Sequence, residues 1–233
     1  MNSLPSGFKA IVLGARGAIG SALVAELKSR PGCAAVFSLS RSSQPALDLC
    51  RESSLIEAAA TLREHAPFHL IFCATGVLQI DGRAPEKRLA DLDPASMAQA
   101  FAVNAIGPAL VIKHFSDLLP LRERALLAVL SARVGSIGDN HKGGWYSYRA
   151  SKAALNMLLR TAAIEVARKR PLAVLAALHP GTVVSALSAP IIGNQPASSP
   201  QLAAQQLLAV LDGLPAEGAS GGFYAWDATP IAW

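Results

Sequence analysis

Charge is scarce in this sequence. Asp, Glu, Lys and Arg make up only 16% of it, and the 21 basic residues are dispersed rather than gathered. The one short basic run, Arg168-Lys169-Arg170, falls at an expected helix end, where it complements the helix dipole. A net charge of +5 spread in this way gives no nucleic-acid patch, although it suits a phosphorylated small molecule. Cysteine is as sparse: Cys33, Cys50 and Cys73 are odd in number, far apart and without neighbouring metal ligands. They are expected to be reduced thiols, with no metal centre, in a cytoplasmic protein. Long apolar runs are missing too, since the longest region, Leu172 to Ile192, is broken by His179-Pro180-Gly181, Thr182, Ser185, Ser188 and Pro190. That argues against a membrane span. The few polar residues ahead of Phe8 leave no room for a signal peptide. There is no repeat, low-complexity tract or interdomain linker. What remains is a chain of 233 residues that is 52% apolar, enough for one large core, and a single domain over 1–233 is expected.

Along the chain, short apolar runs alternate with helical patterns. Residues 9–13 form a strand that ends at Gly14-Ala15-Arg16-Gly17-Ala18-Ile19-Gly20, with a helix over Ser21 to Arg30. Glycines at such a turn let the backbone approach a phosphate, and the N–H groups of the following helix favour its charge. A tight loop alone would also explain them. The position between first strand and first helix points to a dinucleotide, with Gly14, Arg16, Gly17, Ile19 and Gly20 around it. A second strand, Ala34 to Ser40, ends without the acidic residue that would bind the free ribose hydroxyl of NAD. It is followed instead by Arg41-Ser42-Ser43. With Arg16 as a second cation, NADP(H) is expected over NAD(H), unless both arginines are solvated surface residues.

Ala46-Leu47-Asp48-Leu49 reads as a brief third strand, in which Asp48 either meets the adenine or terminates the strand. Glu52 to Glu64 reads as a helix and Leu70 to Ala74 as a buried fourth strand. There Ala74, Thr75 and Gly76 are small enough to leave room for a cofactor. After a polar loop over Asp81 to Asp93, a helical region runs from Pro94 through Leu119. Gly107-Pro108 should disturb it just after Asn104, freeing backbone groups there. Ala125 to Ser131 is a central strand, Leu172 to Leu178 another, and Gly222 to Trp226 closes the sheet after a helix from Ser199-Pro200 to Leu211. Strand and helix in alternation mean a parallel sheet covered on both faces, with ligands at the carboxyl ends of the strands.

Between the glycine-rich loop 135–144 and the next helix lies Trp145-Tyr146-Ser147-Tyr148-Arg149-Ala150-Ser151-Lys152. Tyr148 and Lys152 are four residues apart, so on a helix they share a face. An ammonium beside a phenol favours the phenolate and would pull its pKa towards working pH, making Tyr148 a proton donor and acceptor for a carbonyl/alcohol pair. By itself the spacing is better explained by an ordinary amphipathic helix whose Tyr packs and whose Lys is solvated, since such spacings arise freely by chance.

The glycine turn, Asn104, Ser131, Tyr148-x-x-x-Lys152 and Pro180-Gly181-Thr182, in this order, resemble the short-chain dehydrogenase/reductase family over essentially the full length. The segments 130–137 and 143–152 most resemble its C-factor-like and sniffer-type carbonyl reductases. The resemblance implies a Rossmann-type doubly wound sheet of seven strands in the order 3-2-1-4-5-6-7 and an oxidoreductase acting on an aldehyde or ketone, for which the two arginines favour NADP(H). A homodimer or homotetramer is expected from the Ala-rich outer faces of the helices bearing Asn104 and Tyr148, unless these only pack on their own sheet. It implies Tyr148 as general acid/base, Lys152 as its activator and a ligand of the nicotinamide ribose, and Asn104 as holder of a relay water. A serine at the end of the fifth strand would orient the substrate carbonyl, and Pro180, Gly181 and Thr182 would line the nicotinamide. Residues 184–199 would form a lid whose Pro190, Ile191 and Ile192 offer apolar contacts. Several positions depart from the family pattern. Cys73-Ala74-Thr75-Gly76 replaces its Asn-Asn-Ala-Gly, and the middle glycine of the turn is one position early. The usual serine position, counted back from Gly135, is Ala132. Ser131 is then expected in the serine role if the strand end bulges, with Ser136 as runner-up. A cofactor-binding signalling protein with weak turnover stays open beside the reductase.

Overall fold

In the computed structural model, which describes residues 1–194 and 196–233, with Ile191 by its backbone only, the chain forms a parallel sheet between helical layers. β1 (Phe8–Leu13) leads to α1 (Ala18–Lys28), β2 (Cys33–Leu39), α2 (Glu52–Leu62) and β3 (Leu70–Cys73). Then come α3 (Pro94–Phe101), a π-turn (Ala102–Ile106), α4 (Gly107–Phe115) and β4 (Ala125–Leu130). The chain continues through α5 (Tyr146–Lys169), β5 (Ala173–His179), the short α6 (Ala189–Ile192), α7 (Pro200–Gly213) and β6 (Gly222–Ala225).

The sheet has six strands in the order β2-β1-β3-β4-β5-β6, every neighbouring pair parallel. Six of the expected strands therefore take their expected places, and the seventh is corrected: Ala46 to Leu49 is not a strand. Its backbone makes a single bond just past the end of β2, Leu47 N donating to Ser40 O at 2.8 Å, and is then drawn towards α2, where Asp48 N donates to Ser54 Oγ at 2.9 Å and Asp48 O accepts from Arg51 N at 3.1 Å. Leu47 and Leu49 still face the core. Their burial explains the strand-like pattern, and the diversion of Asp48 to α2 after one bond to the β2 end explains why no strand forms.

Strand alternation divides the core. Ile11, Leu13, Ile71, Leu127 and Val129 pack with Leu55 of α2, Val111 of α4 and Leu155 of α5. Val12, Leu70, Phe72, Leu126 and Ala128 pack on the other face with Leu23 of α1 and Leu207 of α7. Each fully buried leucine contributes about 1.5–3 kcal/mol, so these faces fix the sheet's register firmly. The stretch Pro94–Leu118 is apolar and long enough to cross a membrane by composition, a property masked in the sequence by its break at Gly107. Here Val111, Phe115 and Leu118 are core residues, and the polar Asn104 is buried in its middle. The break expected there is the π-turn, and Gly107 permits it: a Cβ at that position would lie 2.7 Å from Leu49 Cβ.

Candidate active site

The carboxyl ends of β1, β3, β4 and β5 lie side by side, and the residues following each strand share that edge. After β1 the chain turns sharply: Gly14 has φ +80, and both its N–H and that of Ala15 donate to Leu39 O at the end of β2, at 2.9 and 3.1 Å. A Cβ on Gly14 would lie 2.8 Å from Thr75 Cγ2 and 2.9 Å from Ala74 O, and one on Gly20 would strike Gly14 O. The turn is thus compressed against 74–75 and against its own helix. Gly17 caps α1 without a side-chain bond, the first turn holds no acid, and half-buried Ile19 anchors the helix to the core. The N–H groups that open α1 are left for an anion.

Arg16 Nη1 donates to Ser42 Oγ at 2.7 Å, which joins this turn to the loop after β2. Ser40 and Ser43 close that loop, Ser40 N donating to Ser43 Oγ at 2.9 Å. Arg41 projects from it, exposed. Asp48 lies nearby on its own loop, where Oδ1 accepts from Cys50 N at 3.0 Å. Both expected cations therefore stand at one end of the cleft.

At the other end, Lys152 is 2% exposed and donates from Nζ to Leu130 O at 2.8 Å. Gly76 leaves the space beside it: a Cβ there would be 3.4 Å from Lys152 Nζ and 3.5 Å from Asn104 Oδ1. Asn104, in the π-turn, brackets Val77 by accepting from its N–H and donating to its carbonyl, each at 2.9 Å, and also donates to Ser151 Oγ at 3.2 Å. Burial pushes the Lys152 ammonium down to about 8, and the nearby Cys73 acts weakly in the opposite direction. Tyr148 is half-buried, with Lys152 Nζ 5.9 Å from its ring centroid. The expected lowering of its pKa is corrected for this state: desolvation dominates and pushes the phenol up to about 12. The phenol keeps its proton at neutral pH, as an ordinary tyrosine also does, and desolvation makes it a weaker acid than usual in this state.

The strand end does not bulge. Ser131 N continues the ladder to Leu178 O at 2.8 Å, and its hydroxyl points to the α5 side, donating to Asn156 Oδ1 at 2.7 Å. A bond from Ser131 to a substrate would require breaking that one. Ser136 is 2% exposed and its Oγ accepts from Asp139 N at 3.1 Å, leaving its proton uncommitted. After β5, Pro180 leads to Gly181, whose φ of +75 and close approach to Trp226 Cδ1 (2.9 Å from a Cβ there) both demand glycine. Thr182 is exposed, and its carbonyl accepts from Ser198 N at 2.8 Å. Together with the bridge between Val183 and Ser198, this pins the two ends of segment 184–199. Ile191, expected to offer a lid contact, has a side chain outside the described residues. His179 was not singled out from sequence. Its imidazole, pushed down to about 4 mainly by burial, sits at the same edge with Nδ1 unpaired among the described residues.

The structure thus brings together Gly14, Gly20, Ala74, Thr75, Gly76, Asn104, Tyr148 and Lys152 and places Arg16 and Arg41 at one end. A dinucleotide fits these residues: a Cβ at Gly14 or Gly20 would fill the turn, and Lys152 has ammonium hydrogens to offer beyond Leu130. Asn156 escaped sequence reasoning, although its spacing of four from Lys152 put it on the Tyr148 face.

A family described as enoyl-(acyl carrier protein) reductase matches residues 21–209. The chain is 32% identical over 191 residues to 1-hydroxy-2-glutathionyl-2-methyl-3-butene dehydrogenase of Rhodococcus sp. (strain AD45), covering 82% of this chain and 80% of the relative. It is 38% identical over 148 residues to the C-signal of Myxococcus xanthus, covering 62% and 83%. Among solved structures it is similar to NADPH-bound carbonyl reductase from chicken fatty liver, with TM-score 0.84, 24% identity and coverage of 99% and 95%. It is also similar to the carbonyl reductase Sniffer of D. melanogaster, with TM-score 0.83, 21% identity and coverage of 97% and 99%.

The buried lysine makes stability depend on pH in a defined direction. Below about pH 8 folded and unfolded chains both carry the Lys152 proton, and the fold bears the full penalty of the buried charge. Between about 8 and the ordinary 10.5 the folded chain has released the proton while the unfolded chain keeps it, so this group's contribution to stability rises with pH. The gap is worth roughly 3 kcal/mol at full effect. Lys152→Met should therefore be at least as stable as wild type at pH 7 in urea unfolding, and should lack the wild type's relative gain towards pH 10. A variant much weaker at pH 7 would show that the ammonium stabilises the fold.

Proposed function

The chain belongs to the short-chain dehydrogenase/reductase family and is an NAD(P)-dependent oxidoreductase, and from that premise we propose that it reduces an aldehyde or ketone with NADPH. The observation that carries this reading is the buried Lys152, with Asn104 beside the gap at Gly76 and its Nζ 5.9 Å from the Tyr148 ring, on the edge where the glycine turn opens α1. The nicotinamide, when bound, supplies hydride to the carbonyl carbon. Tyr148 gives its proton to the carbonyl oxygen. Lys152, charged below about pH 8, opposes the negative charge left on the phenol oxygen and offers its free hydrogens to the ribose. Asn104 holds the turn at Gly76 and Val77. Both its amide hydrogens are engaged, so a relay water would bond to Oδ1. Gly14, Arg16, Gly17, Ile19, Gly20, Asp48, Ala74 and Thr75 would enclose the adenosine and pyrophosphate, with Arg41 on the 2′-phosphate. Pro180, Gly181 and Thr182 would enclose the nicotinamide. Exposed Val184 and Leu187 near the mouth favour an apolar substrate.

One observation favours a second reading. Ala132 has no hydroxyl and Ser131 gives its own to Asn156, which leaves the buried Ser136 as the one candidate serine with a proton to offer a substrate carbonyl. A cofactor-binding signalling protein with incidental turnover would tolerate this. NADPH binding without oxidation across a broad carbonyl panel would select it.

Tyr148→Phe should leave folding and NADPH affinity intact and lower reduction by about a hundredfold or more, while Tyr146→Phe is nearly silent. Wild-type turnover in Tyr148→Phe would exclude the mechanism. Arg41→Ala should weaken NADPH about tenfold, its exposure limiting the effect, and leave NADH nearly unchanged. Equal use of both cofactors by wild type would remove the preference. Self-association belongs to the same reading: α5 exposes Met157 (66%) and Ile164 (55%), and the π-turn exposes Ile106 (52%). Light scattering at micromolar concentration should give a dimer or tetramer, and a monomer would count against it.

A further inference from the structure

The helix that carries Tyr148 begins without a cap of its own. Its cap residue, Trp145, is in the left-handed region with φ 54 and ψ 44 and makes no side-chain cap bond. Gly143 and Gly144 before it are left-handed as well, with φ 62 and 65. First-turn N–H groups of such a helix need acceptors from elsewhere. Glu86, from the loop between β3 and α3, supplies them. Its carbonyl accepts from Trp145 N at 2.5 Å and Oε2 accepts from Ser147 N at 3.2 Å, while Oε1 accepts from the Ser147 hydroxyl. Gly144 lies against the same carbonyl, a Cβ there being in ordinary contact at 3.6 Å from Glu86 O, and it is the left-handed φ that favours glycine at this position. Among the described residues no cation pairs with Glu86, so its carboxylate serves the helix start, where the dipole favours a negative charge.

The other end of the same loop is Val77, bracketed by Asn104. Between these ties, Leu78, Ile80 and Pro85 share with Ser147 and Tyr148 a cavity of about 50 Å³. The loop therefore forms one wall beside the phenol, and its fixed points are the π-turn and the first turn of α5.

We propose that Glu86 is a positioning residue for Tyr148: its carboxylate clamps loop 77–86 to the first turn of α5 and so holds the phenol at the cleft. The proposal rests on the reductase reading for its kinetic consequence but not for its structural one. Hydrogen exchange of the free protein reads the clamp alone. Glu86→Ala should speed exchange in residues 145–151 and leave 155–169 as in wild type. Steady-state reduction of a panel of aliphatic and aromatic aldehydes and ketones reads the consequence. Glu86→Ala should lower kcat about ten- to a hundredfold, as expected when a reacting group is misplaced by about an ångström, with the NADPH dissociation constant within about twofold of wild type. Glu86→Gln keeps an acceptor for Ser147 and should recover most of kcat and of the exchange protection. Unchanged exchange over 145–151 in Glu86→Ala would overturn the clamp, and changed exchange with unchanged kcat would overturn its role in positioning. Glu86→Gln as inactive as Glu86→Ala, with exchange restored, would assign Glu86 to the chemistry instead and overturn positioning too. If wild type turns over no member of the panel, the reductase reading fails, while exchange still decides the clamp.

Discussion

One constraint shapes the candidate site and the packing around it: an ammonium is held out of water. Lys152 is buried with Leu130 O as its hydrogen-bond partner, and burial alone depresses its pKa. A buried charge with so little compensation weakens a fold unless the surrounding packing is strong. Here it is strong: α5 is pressed to the sheet by Leu155 and Leu159, both fully buried. The neighbours of Lys152 make room for it. Gly135 passes where a Cβ would lie 2.7 Å from Lys152 Cβ, and Gly76 leaves the space in front of Nζ. The free energy stored in that desolvated charge is what an anion or a set of ribose hydroxyls can recover, so the least comfortable residue of the fold is also the one best placed to bind.

The same economy of partners runs through Asn104. A π-turn adds a residue to the helix and frees backbone groups, and such turns are maintained where a side chain is needed in an unusual direction. Asn104 uses that direction to join the β3 exit, through Val77, to α5, through Ser151. β3, the π-turn and α5 thus meet at one amide. Glu86 ties the far end of the same loop to the helix start, so Tyr148 lies between fixed points rather than beside a free loop.

Much of this was legible in the sequence. The glycine turn, the spacing of Tyr148 and Lys152 and the break near Gly107 each have a local physical cause, a left-handed or crowded backbone or a helical repeat, and each was found where expected. The failures share a different cause. Ala46 to Leu49 carries the apolar alternation of a strand, but a strand is defined by its partners, and Asp48 found them in α2. Ser131 carries the right side chain beside the right position, but its direction follows from the pleat of β4. The Tyr148 phenol moved against expectation because of burial, which the sequence does not state.

The sequence by itself determined the alternation of strand and helix, the edge at which the candidate residues gather and the shared helical face of Tyr148 and Lys152, because periodicity and glycine are local properties. Only the tertiary structure decided that the edge strand is absent, that Asn104 serves Val77 and Ser151, that Ser131 belongs to Asn156 and that Glu86, 61 positions from Ser147, holds the start of α5. Those are contacts between residues far apart in the chain. Their partners are chosen by the packing of whole elements, which no local pattern encodes.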